Sequence, residues 1–420
     1  MRKTSNQIPR ALLVTLAILL FSARASARAK GEVWVGTWSA APQLVEPSNA
    51  LPAAELRDST LRQIVHVSLG GAVVRLRLSN SFGIAPLHLL SVHVARPVPD
   101  ALGRIDPSTD RAVTFSGSVD VTIPAGADYI SDPLAFPVAP LSDLAITIRV
   151  GDPPADETGH PGSRATSFVT RGDWVSAAEL PHPATVDHWY FISGIEVLAP
   201  PHDASVVVIG DSITDGHAST TNGNNRWTDY LAKRFQSNPS TRMLAVLNEG
   251  IGGNRLLLDG LGPNALARFD RDVLAQAGVR YLIVLEGIND IGMIDRQGEI
   301  SPSAHRALVR SIIGAYRQMI FRAHSDGIEV IGATILPFAG STFYHPSPAF
   351  EADRQAINAW IRARGHFDAV IDFDRVMHDP KAPDRLLPAY DSGDHLHPSP
   401  EGYAAMAHAV PLSLFTGAFR

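Results

Sequence analysis

Four short segments carry the residue types that acyl transfer needs: a nucleophile, a base, a group that orients the base, and donors for an oxyanion. The first is Gly210-Asp211-Ser212-Ile213-Thr214-Asp215-Gly216, where a serine sits in a glycine-flanked turn directly after an apolar run. Its hydroxyl would stand at a strand end and its N–H near the start of the next helix. In ordinary turns the same Asp and Ser only satisfy backbone groups, and that reading stays open for this segment alone. The second is Asn248-Glu249-Gly250-Ile251-Gly252-Gly253-Asn254. Its glycines allow backbone conformations that expose N–H groups, although a plain flexible turn has the same composition. It is no dinucleotide fingerprint, because G-x-G-x-x-G counted from Gly250 needs glycine where the chain has Arg255, and no P-loop sequence occurs. The third, Glu286-Gly287-Ile288-Asn289-Asp290, offers the neutral amide of Asn289 as a donor, or else a turn-forming or capping Asn. The fourth runs from Asp391 to Pro400 and holds Asp394 and His397 three residues apart. On a one-turn loop that carboxylate can reach the imidazole, fix its tautomer and stabilise the imidazolium. Metal binding by Asp391, Asp394, His395 and His397 is the competing reading, unsupported by any H-E-x-x-H or third ligand cluster. Arg255 and Glu286 flank these segments, either as substrate contacts or as solvated charges.

The elements that must position these segments are legible as well. Ser205–Ile209, Met243–Leu247, Tyr281–Leu285, Glu329–Leu336 and Ala369–Phe373 are continuous apolar runs, the pattern of strands buried on both faces of a parallel sheet. Between them lie helical stretches. In Ser303–His324, Leu308, Ile312, Tyr316 and Ile320 recur on one face behind a proline at 302. Phe350–Arg364 and Glu401–Val410 are further helices, the last opened by Ser399 as cap and Pro400 as first residue. Strand–helix alternation implies a doubly wound α/β domain, whose ligands bind at the carboxyl ends of the strands. The four segments would be gathered at that edge.

The first half has a different rhythm. Thr60–Leu69, Ala72–Leu78, Leu87–Val94, Ser118–Ile123 and Leu144–Val150 are short, often alternating and punctuated by Gly, Pro, Asn and Asp, which suggests an antiparallel sandwich. Gly151–Gly172 reads as a long loop and Ala199-Pro-Pro-His-Asp203 as a linker. The expected division is a leader at 1–27, a β-sandwich at 32–198 and a catalytic domain at 204–420. The leader has Arg2, Lys3 and Arg10, then the apolar run Ala11–Phe21, then Ala25-Ser26-Ala27, the pattern of a secretory signal peptide. The apolar run is short for a membrane span, so an exported protein without stable membrane insertion is expected.

Composition narrows the chemistry. The chain of 420 residues is 45% hydrophobic and 19% charged, with no cysteine. That excludes disulfides, a thiol nucleophile and thiolate metal sites. Lys and Arg number 36 against 42 Asp and Glu, with no basic stripe, so no nucleic-acid partner is expected.

Taken together, in order and spacing, the four segments resemble the GDSL-type lipase/esterase group, the SGNH hydrolase superfamily. The resemblance covers Ser205 to the C-terminus. It implies a flavodoxin-like three-layer α/β/α fold and ester hydrolysis without metal or cofactor. Carried over by position, Ser212 is the nucleophile, Asp394 the acid and His397 the base. The oxyanion hole is the N–H of Ser212, the N–H of Gly253 and the side chain of Asn289. Ile213 stands where the group's name has leucine, a change that does not touch the chemistry. The G-x-S-x-G elbow of the α/β-hydrolases is absent. An exported esterase with an added, jelly-roll-like β-sandwich also resembles the carbohydrate deacetylases of the superfamily. The expected protein is therefore a secreted or periplasmic serine esterase removing O-acetyl or other short acyl groups from carbohydrates. A lipase or lysophospholipase, and an inactive glycan-binding protein, are the alternatives. Trp34, Trp38, Trp174 and Trp189 would stack on sugars if exposed, or else pack in the core.

Overall fold

The computed structural model describes residues 31–294 and 301–416. The leader expected at 1–27 lies outside the described residues. At the centre of the C-terminal half is a parallel sheet of β1 (Ala204–Gly210), β2 (Leu244–Gly250), β3 (Val279–Leu285), β4 (Glu329–Ala333) and β5 (Ala369–Ile371). Its spatial order is β2-β1-β3-β4-β5. The chain leaves β1 to one side and later continues from β3 to the other, so the loops after these two strands part and open a crevice. Every residue of β1 is buried, as its unbroken Ser-Val-Val-Val-Ile run requires. The helices flanking the sheet pack in pairs, Trp227–Ser237 with Pro400–Ala409 and Pro302–Ser325 with Pro348–Arg362. Right-handed crossovers put the two pairs on opposite faces. The helix starts follow their capping chemistry: the Ser301 and Ser399 hydroxyls accept the N–H groups of Ala304 and Gly402, each ahead of a proline. Ile312, Tyr316 and Ile320 form the buried stripe of Pro302–Ser325.

Residues 33–199 form two main antiparallel sheets. One contains Val33–Ser39, Ile192–Ala199 and Gly71–Ser79; the other contains Ser59–Val67, Ser142–Val150 and Leu87–Ala95. Val74 and Leu76 of the first join Leu61, Val65, Ile146 and Ile148 of the second in one buried cluster. The stretch expected as a long loop, Gly151–Gly172, instead holds strands Thr158–His160 and Ser167–Arg171. The second is specified by pairing with Ser59–Val67, about a hundred residues earlier in sequence, which local composition does not reveal. The strand expected at Ser118–Ile123 shrinks to Val121–Ile123, because Phe115 and Ser118 close a turn through left-handed Ser116 and Gly117.

The two halves are bonded together rather than merely linked. The Gly36 N–H donates to the Ala277 carbonyl at 2.9 Å, Ser205 Oγ donates to the Gly36 carbonyl at 3.0 Å, and the Val246 N–H donates to Ser68 Oγ at 3.0 Å. Gly36 is needed for this approach, since a Cβ there would stand 2.8 Å from a Leu247 methyl on β2.

Candidate active site

Strand β1 ends at Gly210, where a Cβ would fall 2.2 Å from Thr214 Oγ1, so the chain can turn tightly into the helical turn Ser212–Asp215. Asp211 caps that turn, its Oδ1 accepting the Ile213 N–H at 2.9 Å. The turn ends on left-handed Gly216. Ser212 Oγ lies 2.8 Å from His397 Nε2, and His397 Nδ1 lies 2.5 Å from Asp394 Oδ2. Nδ1 therefore donates to the carboxylate, and Nε2 is left to accept the serine proton. Asp394 also accepts the N–H groups of Leu396 at 2.9 Å and His397 at 2.8 Å, and the Ser392 hydroxyl at 3.1 Å. Partial burial pushes its pKa up, but hydrogen bonds from the His397 ring and backbone outweigh this and hold it well below the ordinary carboxylate range. The structure thus brings Ser212, His397 and Asp394 into one hydrogen-bonded chain.

The donor side is equally organised. Among the described residues neither the Ser212 N–H nor the Gly253 N–H has a hydrogen-bond acceptor. Gly253 is left-handed, with φ +68°. Asn289 Nδ2 donates one hydrogen to the Asn254 carbonyl at 2.7 Å, and the Tyr344 hydroxyl donates to Asn289 Oδ1. The amide is thereby oriented from both ends, with one N–H to spare. Asn254 is fixed in turn by Arg268, whose Nε donates to its Oδ1 at 3.0 Å. The same buried guanidinium donates to the carbonyls of Glu249 at 2.7 Å and Gly210 at 3.0 Å. One side chain thus ties the ends of β1 and β2 to the loop bearing Gly253. Asp290 joins the third segment to the second by accepting the Leu256 and Leu257 N–H groups.

Burial raises the carboxyls beneath these loops. Asp211 is pushed up to about 7, with Asp290 and Asp215 adding to desolvation against the Ile213 N–H and Arg268. Glu286 rises well above its usual range for the same first reason, with Asp211 as the next contributor. Glu286 is 1% exposed and 3.7 Å from Arg268. This corrects both readings of that residue: sealed beside Arg268 just past the end of β3, it is neither a solvated charge nor open to a substrate. Arg255 is half-buried and donates back to the Asp259 carbonyl of its own loop. Of the tryptophans, Trp38 and Trp189 are buried against each other with rings 4.9 Å apart, whereas Trp174 is exposed.

Four partners of the site were not evident in the sequence. The His217 ring packs tilted against that of His397, with centroids 4.1 Å apart. Burial drives its pKa down to about 4, and His397 and Arg164 push the same way. Arg164 of the N-terminal half donates from Nη2 to His217 Nδ1 at 3.2 Å. His160, also of that half, donates from Nε2 to Asp215 Oδ1 and from Nδ1 to the Ala41 carbonyl, both at 2.9 Å. Tyr344 lies in a connection with no motif. Only the position of His217, directly after the first segment, was a signal. One donor atom each of His217, Asp394 and His397 lie within 4.8 Å of one another, a spacing a metal could draw on. Here, however, Asp394 and His397 are spent on each other and on Ser212. Of the other two metal candidates, His395 and Asp391 pair together at 2.5 Å.

Residues 208–405 match the sequence model of the GDSL-like Lipase/Acylhydrolase family. This segment belongs to that family. The GDSL-like domain is a carboxylic ester hydrolase, and it spans all four loops described above. Among solved structures it is similar to a GDSL-like lipase from Bacteroides thetaiotaomicron VPI-5482 (22% identity, 49% of this chain and 84% of that one, TM-score 0.36). It is also similar to the acetylxylan esterase Axe2 from Geobacillus stearothermophilus (19% identity, 49% of this chain and 91% of that one, TM-score 0.38). No curated protein matches the chain. Among the described residues no helix of the GDSL-like domain or its partner half is long and apolar enough to cross a membrane.

Proposed function

We propose that the protein is a secreted or periplasmic serine esterase that removes O-acetyl or other short acyl groups from carbohydrates, with a β-sandwich as its N-terminal domain. The observation that carries the chemistry is the chain Ser212 Oγ to His397 Nε2 at 2.8 Å and His397 Nδ1 to Asp394 at 2.5 Å. His397 takes the proton as Ser212 attacks the ester carbonyl, and Asp394 stabilises the imidazolium. The oxyanion is met by the N–H groups of Ser212 and Gly253 and the spare N–H of Asn289. His397 returns its proton to the leaving alcohol, and water then clears the acyl-serine by the same relay. Export is supported by the leader pattern, and a carbohydrate substrate by the added β-rich half. N-terminal sequencing of exported protein tests the first: a chain beginning at Arg28 is expected, and an intact leader would refute it.

A longer acyl chain is the second reading, favoured by a specific observation. Leu258, Leu261 and Phe343 are exposed, Leu261 beside Gly253 and Phe343 packed on Tyr344, so the donor side has an apolar rim. A 4-nitrophenyl ester series from acetate to decanoate, run beside acetylated xylan, separates the two. A rate falling beyond butyrate and acetate release from xylan are expected. A rate rising with chain length would move the assignment to a lipase. Ser212→Ala should lose at least about 10³-fold in kcat while the fold persists, and wild-type turnover in that variant would remove the mechanism.

A further inference from the structure

We propose that Arg164, delivered to the triad by the N-terminal half, reads a carboxylate on the alcohol side of the ester, so that preferred substrates are acylated acidic sugars. The inference rests on the serine-esterase reading above. In that mechanism His397 hands its proton to the leaving alcohol, so the alcohol lies against His397 and whatever flanks His397 flanks the alcohol. The flank is His217, its ring tilted against that of His397 with centroids 4.1 Å apart, with the Arg164 guanidinium 3.2 Å beyond it. His217 accepts from Arg164 as a neutral ring and brings no charge of its own. Among the described residues no carboxylate pairs with Arg164, and its buried Nε has no hydrogen-bond partner. An uncompensated guanidinium beside a reaction centre is a fork matched to a carboxylate.

The placement is held at a conformational cost. Arg164 is left-handed, with φ +48°, and so is Asn222, with φ +61°. Asn222, from the catalytic half, clamps the chain at Arg164 and just after it. Its N–H donates to the Arg164 carbonyl at 2.9 Å, its Oδ1 accepts the Thr166 N–H at 2.8 Å, and its Nδ2 donates to Thr166 Oγ1 at 2.9 Å. Two unfavourable backbone conformations and three bonds across the halves fix one cation beside the base. A surface arginine without a task needs neither.

The test is a matched pair of esters, an O-acetylated methyl glucuronoside as free acid and as its methyl ester, with acetate release measured near neutral pH. Wild type should prefer the acid by about tenfold in kcat/KM, as a charge-assisted bond provides. The preference should fall to about one in Arg164→Gln, and in wild type at high salt. A ratio near one in wild type, or one that survives in Arg164→Gln, overturns the proposal. The salt series decides the matter if Arg164→Gln does not fold. If wild type shows no Ser212-dependent hydrolysis of 4-nitrophenyl acetate, the esterase reading falls and takes the subsite with it. An active enzyme blind to the carboxylate sinks the subsite alone.

Discussion

His160 belongs to the N-terminal half, yet its ring donates to a carboxylate three residues from the nucleophile. Both partners are almost sealed, with side chains 5% and 4% exposed. Replacing His160 with alanine leaves the Asp215 carboxylate buried and without its ring partner, a change that costs about 3–5 kcal/mol for buried pairs broken on one side. An unfolding entropy of roughly 2 cal/mol/K per residue over about 380 described residues gives about 0.8 kcal/mol/K. The variant should therefore melt roughly 4–6 °C lower if the halves unfold together. The sign of the second substitution is the sharper test. Asp215→Asn keeps an acceptor for His160 and should cost only about 1 kcal/mol. In the double variant the stranded charge is gone, so His160→Ala with Asp215→Asn should be more stable than His160→Ala alone. Turnover should follow, because Asp215 closes the Ser212 turn through its N–H to the Asp211 carbonyl at 2.9 Å. Calorimetry and kcat on the four proteins complete the cycle. A His160→Ala loss below about 1 °C, or a double variant less stable than His160→Ala, would refute the idea that this pair pins the turn to the other half.

Asn289→Ala should lower kcat by about 10²–10³ with little change in KM, since the spare N–H is aimed at charge that develops only in the transition state. Tyr344→Phe releases the Asn289 carbonyl and should cost less, about tenfold in kcat; a raised KM with kcat unchanged would place both residues in ground-state binding instead. Glu157 supplies a pH test. Burial raises it from 4.5 to about 7, against a hydrogen bond from the Leu51 N–H. Between those values the folded state holds a proton that the unfolded state has released. Stability contributed by this group is thus present below about pH 4.5 and lost as pH rises through 7. Wild type should lose up to about 3 kcal/mol relative to Glu157→Gln between pH 4.5 and 8, read by urea unfolding, and parallel curves would contradict the assignment.

Legibility in the sequence follows from how strongly each local stretch is constrained. β1 is buried on both faces and must be apolar throughout, so its position and the turn after it are visible. Pro302 and Pro400 fix two helix starts, because proline at the first helical position leaves few alternatives. Asp394 and His397 share one loop, so their pairing is a matter of reach. The apolar runs overextend β4 and β5 for a local reason as well. Ile335 and Leu336 follow soon after Ala333, and Phe373 lies one residue beyond Ile371 across Asp372, which accepts the Arg375 N–H and starts a helical turn. Tyr344, Arg268 and His160 are invisible because each acts on a group far along the chain. In sequence Arg268 looks like any helix-terminal arginine; only the tertiary fold brings it to the ends of two strands.

The boundary between the two halves obeys the same physics. A proline-containing stretch at 199–203 reads as a linker, and a linker suggests modules that move independently. The contacts across the junction involve Gly36, Ser68 and Ser205, small residues that no hydrophobic period marks. Their bonds run to backbone carbonyls and N–H groups, which every residue possesses, so composition cannot reveal them. Gly162 shows how close the fit is at the site, since a Cβ there would fall 1.9 Å from Asp215 Oδ2. An alanine at 162 would have to displace either the loop that carries Arg164 or the carboxylate that steadies Ser212. The first half is thus packed against the nucleophile turn itself, and cutting the chain at the linker would strip Asp215 and His217 of the partners that hold them.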